Sequence, residues 1–248
     1  MIKVIDKAFN IIEYIAEEPE RSRALTEISQ KFGIKQSTCS VILKSLVERN
    51  YIEQVSHKGG YILGGMAYLL AKNGPYKKYI INSAEPLLFK LAKELGETIV
   101  LATLKNNSRY VLLKIDGDQD LQIKERGIIY TDAYNTATGR LLLANLSVRE
   151  LEIYILRNGL PKKEVWKEAA NSHKLNAELT SLRKERMVVY SASEQLIQMA
   201  YPIKEGEKVV AALGLGMPKF RFKGSHKNEV LKKTKETAEE ISKFLTER

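Results

Sequence analysis

A single cysteine, Cys39, stands among 248 residues, so the chain can hold neither an internal disulfide nor a multi-thiol metal site. That thiol count fits a reducing cytosol. Histidine is almost as scarce: His57, His173 and His226 share no metal-ligand spacing, and neither a metal nor another cofactor is expected. No serine-centred elbow, phosphate-binding loop or glycine-rich dinucleotide fingerprint appears, so the usual enzyme signatures are missing and an enzyme is not expected. No apolar stretch approaches the ~20 residues needed to span a bilayer. Lys3, Asp6 and Lys7 also interrupt any apolar run at the start, which argues against a secretory signal. A cytoplasmic protein without membrane contact is the expectation.

What is present is the composition of a globular protein, 44% hydrophobic and 28% charged, long enough for one large or two small domains. The net charge of +10 favours polyanions or anionic ligands but is unevenly spread. Residues 1–70 hold nine Lys and Arg against eight Asp and Glu, and the excess lies further on, notably in 219–235. Bulk charge therefore says little about DNA. Locally the balance is better, because Lys31, Lys35, Lys44 and Arg49 face only Glu48 between positions 31 and 50.

The chain is organised around residues 24–50, ALTEISQKFGIKQSTCSVILKSLVERN. Leu25, Ile28 and Phe32 recur at helical spacing, as do Ile42, Leu43, Leu46 and Val47, and Gly33 supplies a left-handed turn between them. Polar residues crowd the second helix start, the layout of a helix-turn-helix that reads base edges with those residues. An ordinary helical hairpin, with the same residues as caps, is the alternative. The strand-turn-strand that follows, 51–55 and 61–63 around Ser56-His57-Lys58-Gly59-Gly60, favours a winged helix-turn-helix. Ahead of it, 2–16 reads as an amphipathic helix with Val4, Ile5, Ala8, Ile11, Ile12 and Ile15 on one side.

Residues 66–72 suggest a linker helix before Asn73-Gly74-Pro75, giving a winged domain over 1–63, a linker over 64–75 and a second domain over 76–248. In the last, helices are expected at 79–95, 137–146, 148–157, 175–186 and 225–245, and strands at 98–104, 110–115, 121–124, 188–191, 197–203 and 209–217. Ser147 with Glu150 three residues on reads as a capping box. Strands in two groups flanked by helices predict an α+β domain with an antiparallel sheet.

This order of parts resembles the IclR family of bacterial transcription regulators along essentially the whole chain. The blocks that carry the likeness are GIKQSTCSVILKSLVERNYIEQ, YILGG, Gly96-Glu97-Thr98, Ala137-Thr138-Gly139-Arg140-Leu141-Leu142-Leu143-Ala144, Ala200-Tyr201-Pro202-Ile203 and the strand over 209–216. Six blocks in order imply a DNA-binding regulator, commonly a repressor, with a GAF-like effector-binding domain and a homodimer or homotetramer on a palindromic operator. There are departures. Val41 stands where the family usually has arginine, Arg140 where it has lysine, and Gln198 where many members have cysteine. Gly214 and Gly216 stand where several have serine, and Ser191 replaces an acidic pocket residue.

For DNA, Gln36, Ser37, Thr38 and Ser40 are the candidate base-edge residues, since glutamine can pair with adenine and a hydroxyl can serve base or phosphate. Arg23, Lys35, Lys44, His57 and Lys58 are candidate phosphate or minor-groove contacts. A helix opening at Thr136-Ala137-Thr138-Gly139-Arg140 could bind an anion on its N–H groups, with the guanidinium adding to it. The bland alternative makes Thr136 or Thr138 a cap and Arg140 a surface charge. The resemblance implies the effector reading, with Ala137, Thr138, Gly139 and Arg140 facing Tyr130, Ser191, Gln198, Gly214 and Gly216, and Leu121 and Ile123 as walls. Trp166 and Cys39 read as packing residues. A sensor whose winged domain docks on protein rather than DNA is the rival.

Overall fold

The computed structural model describes residues 2–56, 59–73, 77–117, 129–130 and 133–247, with backbone alone at 71–73 and 129–130. They divide into two compact units, 1–76 and 77–248. In the first, helices α1 (Lys3–Ala16), α2 (Leu25–Lys31) and α3 (Gln36–Glu48) precede a two-stranded ribbon, β1 (Ile52–Gln54) and β2 (Tyr61–Leu63), and then α4 (Gly65–Asn73). Gly33 turns α2 into α3 at φ +59, with nothing within 4 Å of the place a Cβ would take. Glycine is used there for its conformation, not for space. The ribbon pairs Ile52 with Leu63 and Gln54 with Tyr61, and Arg23 adds a bridge to Tyr61 through backbone bonds of 2.9 and 2.8 Å. The wing is thus tied to the chain ahead of α2.

Ile11, Ile15, Ile28, Cys39, Leu43 and Ile52 form the core of this unit. The expected apolar side of the first helix is only half used: Val4 and Ile5 are 54% and 47% exposed. Length explains it. A 14-residue helix is roughly 21 Å long, about twice the 7-residue α2, so its first turn overhangs the core.

The second unit opens with α5 (Lys78–Leu95), closed by Gly96 at φ 68. Strands β3 (Thr98–Lys105) and β4 (Ser108–Ile115) follow, joined through Asn106 and Asn107 at φ 49 and 66, the left-handed pair a tight hairpin needs. Then come β5 (Ile129–Tyr130), α6 (Ala137–Ala144), α7 (Val148–Asn158), α8 (Ser172–Glu185), β6 (Val188–Ser191), β7 (Leu196–Glu205), β8 (Lys208–Pro218) and α9 (Gly224–Thr246). The capping box at Ser147 and Glu150 is formed. The strand expected at 121–124 lies outside the described residues.

All pairings are antiparallel, in the order β5-β4-β3-β8-β7-β6. One sheet face, with Ile99, Leu101, Met199, Leu213 and Leu215, packs against Leu88 and Leu91 of α5 and Ile241 of α9. The other carries Val100, Ala102, Ala200 and Ala212, small side chains that let Leu141 and Leu142 of α6 lie close. Behind α6, Tyr134, Tyr154, Trp166, Leu175 and Leu179 form a further cluster. The fold is the expected α+β arrangement of a winged helix-turn-helix unit and an antiparallel-sheet unit.

Candidate DNA-reading face and effector site

Helix α3 divides cleanly by burial. Cys39, Ile42, Leu43 and Leu46 face the core, while Gln36, Ser37, Thr38, Ser40, Val41, Lys44 and Ser45 are exposed. Lys35 occupies the N-cap position, also exposed, and no side chain caps the helix. Its first N–H groups therefore look outward beside a lysine, an arrangement suited to a phosphate. Lys44 lies 4.0 Å from Glu48 with both side chains well exposed, a pair too loose to hold the ammonium. Burial pushes the Cys39 thiol up, which keeps it protonated and inert. His57 and Lys58 lie outside the described residues.

Arg23 requires a correction. Its side chain is 3% exposed, 2.8 Å from Glu27 and 3.2 Å from Glu18, with the guanidinium 4.3 Å above the Tyr14 ring. Tyr14 donates to Glu27 as well, and that bond, helped by Arg23, holds the Glu27 carboxyl below its ordinary range. Arg23 thus ties α1, α2 and the wing together and does not present itself to a phosphate. A lysine-and-arginine count cannot distinguish the two roles; the nearby Glu18, Glu27 and Tyr14 were the available signal.

In the second unit, Thr136 caps α6 by accepting from the Gly139 N–H at 3.1 Å, and the Ala137 N–H donates to Gln198 Oε1 at 3.1 Å. The amide oxygen of β7 thus takes the position an acceptor-bearing ligand would use. Gly139 is fixed by space: a Cβ there would stand 2.0 Å from the Ala133 carbonyl oxygen. Arg140 is not a surface charge, and its side chain is engaged within the fold. It is 6% exposed, donates to the carbonyls of Tyr134 and Val165 at 2.8 and 2.7 Å, and stacks between Trp166 and Tyr190 at 4.2 and 3.6 Å. A planar cation with several donors can hold two carbonyls and two rings together, so this arginine clamps the structure behind α6.

The sheet register shows which strand residues share α6's face. Val100, Gly214, Ala200 and Val188 form one row with Lys114, and Thr98, Gly216, Gln198 and Tyr190 form the next. Ser191 pairs with Ile197, whose side chain lies in the α5 and α9 core, so Ser191 belongs to the opposite face. Its hydroxyl donates to the Ser193 carbonyl at 3.0 Å. A one-residue step along a strand reverses the face, and Tyr190 holds the place expected for Ser191. Gly214 also differs from expectation. A Cβ there would meet Thr138 Cγ2 at 2.4 Å, so the glycine seats α6 and does not border open space.

Beyond the α6 start, the row leaves Gly216 half-buried, with Thr98 beside it and Lys114 at the rim. Lys114 is 2.8 Å from Asp116, which also accepts from Thr98 at 3.4 Å. Thr98, Lys114, Asp116 and Tyr190 are polar residues of this face that the sequence did not single out as site residues; for the first three, alternation along 98–116 was the available signal. Tyr130 pairs with Arg109 in the sheet, and Leu121 and Ile123 lie outside the described residues. Glu97 is withdrawn from the site, buried in a two-pronged contact with Arg221 at 2.7 and 2.6 Å.

Two family models match: the IclR helix-turn-helix domain over residues 4–56 and the bacterial transcriptional regulator IclR C-terminal domain over 76–243. The chain is 31% identical over 151 residues to the regulator TtgV of Pseudomonas putida, covering 61% of this chain and 57% of that protein. It is 25% identical over 162 residues to the acetate operon repressor of Salmonella typhimurium, covering 64% and 58%. The match thus spans less than two thirds of both relatives. Against KdgR of Escherichia coli, 26% identity extends over 95% of this chain and 90% of that one. Among solved structures, an IclR homolog from Microbacterium hydrocarbonoxydans complexed with 4-hydroxybenzoate superposes with TM-score 0.80 at 19% identity, covering 99% and 100% of the two chains. The Thermotoga maritima IclR gives 0.73 at 23%, with 99% and 100% covered. Among the described residues no helix is long and apolar enough to cross a membrane. With both family models matched in order on a winged unit and an antiparallel-sheet unit, this chain belongs to the IclR family of bacterial transcriptional regulators.

Proposed function

We propose that this chain is a homodimeric, ligand-responsive repressor. In this reading α3 lies in the major groove of a palindromic operator, and the second unit binds a small effector beside the start of α6. The observation that carries it is the division of α3. One face closes the core while the opposite face offers amides and hydroxyls with basic residues at the edges and no capping role. Gln36, Ser37, Thr38 and Ser40 supply base-edge donors and acceptors, and Lys35 and Lys44 supply phosphate contacts. Repression, rather than activation, follows the relatives named as repressors.

Dimerisation is supported by apolar side chains that the winged unit leaves in water. Ile2 just ahead of α1, Val4, Ile5 and Phe9 on it, and Leu69 and Leu70 on α4 are each 46–64% exposed. A lone monomer gains nothing from that surface, whereas a two-fold reader needs a self-complementary one.

For the effector, the Ala137 N–H, the Thr98 hydroxyl and the Lys114 ammonium are donors, while Asp116 already offsets the lysine charge. The site suits a polar molecule with a carbonyl or carboxylate acceptor that takes the Ala137 N–H from Gln198. Selection of bound sequences from a random DNA pool at two salt concentrations tests the DNA-reading part of this proposal. A palindrome with half-sites about one helical turn apart is expected. Retention that is independent of sequence and removed entirely by salt would overturn it.

A further inference from the structure

Helix α3 places one apolar residue where its polar face is widest. Val41 is 67% exposed and belongs to none of the apolar clusters among the described residues. Its helical neighbours at three and four residues' distance are Ser37, Thr38, Lys44 and Ser45, all exposed. The Ser45 hydroxyl is turned back onto the Val41 carbonyl at 3.1 Å, so it does not compete for whatever Val41 faces. A β-branched residue is also a mediocre helix former, and here it gains no packing in return. Neither folding nor solubility gives a reason for valine at this position.

We infer that Val41 is a specificity residue that packs against the C5-methyl group of a thymine in the major groove. The inference rests on α3 being the recognition helix. In that groove the thymine methyl is the only apolar feature a base pair displays, and apolar side chains recognise it by contact. The valine methyls have few rotameric states to lose, so the contact is pre-ordered. Polar neighbours around Val41 then read the flanking edges, while the methyl contact separates T·A from C·G at one position in each half-site.

The test uses the full chain and the operator recovered by selection. Thymines are replaced one at a time by deoxyuridine, which lacks only the C5 methyl. One position per half-site is expected to show a loss of about fourfold for the wild type, from removal of one buried methyl. Replacing both symmetric positions should multiply to roughly sixteenfold. V41A should bind the thymine operator more weakly, keep the same salt slope, and lose the deoxyuridine penalty at that position alone. Because alanine is the better helix former at an exposed site, the variant should melt no lower than the wild type. Wild-type binding indifferent to deoxyuridine at every position would overturn the inference and leave the DNA-reading proposal intact. So would a penalty that V41A retains. Failure to recover any operator would overturn both.

Discussion

Helix α6 is seated on β8 at Gly214, where even one added methyl meets Thr138. In Gly214→Ala the new methyl would stand 2.4 Å from Thr138 Cγ2, where carbon atoms prefer ~3.5–4.0 Å. At least ~1 Å must therefore be opened between the new methyl and Thr138 Cγ2. Thr138 has little room to yield, being 6% exposed on a helix whose Leu141 and Ala144 are fully buried. Overpacking of this kind costs about 1–3 kcal/mol. For a unit of this size that lowers the melting temperature by roughly 2–4 °C per kcal/mol. Thr138→Ala removes the opposing methyl, so the double variant should recover most of the loss. The assay is urea and thermal unfolding of the full chain for the wild type, both single variants and the double variant. Additivity of the two single effects within ~0.5 kcal/mol would refute the claimed contact. The same variants should shift effector affinity, because Ala137, whose N–H meets Gln198, precedes Thr138.

Arg140→Lys should destabilise the second unit by about 1–3 kcal/mol, since an ammonium cannot hold both carbonyls and both rings; an unchanged melt would remove the clamp. Glu27 sits below its ordinary pKa because of Tyr14 first and Arg23 next. A lowered carboxylate contributes stability that is fully present above its unfolded value of ~4.3 and is lost as pH falls through the folded value. Wild type should therefore weaken below about pH 4.3 relative to Glu27→Gln, and parallel acid titrations of the two would contradict that. If the proposed dimer forms through this surface, Phe9→Glu combined with Leu70→Glu should make the protein monomeric in sedimentation equilibrium at micromolar protein while leaving the helical signal intact. A dimer that survives would place the interface elsewhere.

Much of the fold was legible because it is written in local signals. Gly33 and Gly96 mark left-handed turns, Asn106-Asn107 marks a hairpin, Ser147 and Glu150 mark a helix start, and short, largely apolar runs bounded by polar residues mark β7 and β8, which are buried on both faces. The candidate site was less legible, since it depends on which neighbour a residue meets across the fold. Ser191 and Tyr190 are adjacent in sequence yet lie on opposite sheet faces, and only the pairing with Ile197 and Gln198 decides between them. Arg23 and Arg140 look like surface cations in a sequence. What commits them is Glu27 on α2 in one case, and Trp166 and Tyr190 from distant segments in the other. Gly214 looks like an empty place until Thr138 is set above it.

The same geometry constrains how an effector can act. Gln198 already satisfies the Ala137 N–H, so an acceptor that takes over that bond gains only its difference from an amide oxygen. A neutral carbonyl exchanging for another carbonyl would leave the helix start unchanged, so a carbonyl effector would have to shift the equilibrium through its other contacts. A carboxylate differs, because it adds charge at the positive end of α6 and would compete with Asp116 for Lys114 on the same sheet face. In the proposed site, the Gln198 side chain and the Lys114–Asp116 pair are the elements through which binding would have unequal affinity for two states. Linkage then requires DNA to alter effector affinity by the same factor that effector alters DNA affinity. Gln198→Ala leaves the N–H to water, so it should tighten binding of an acidic effector while reducing its effect on the operator. Tighter binding with undiminished release of DNA would show that the coupling does not pass through Gln198.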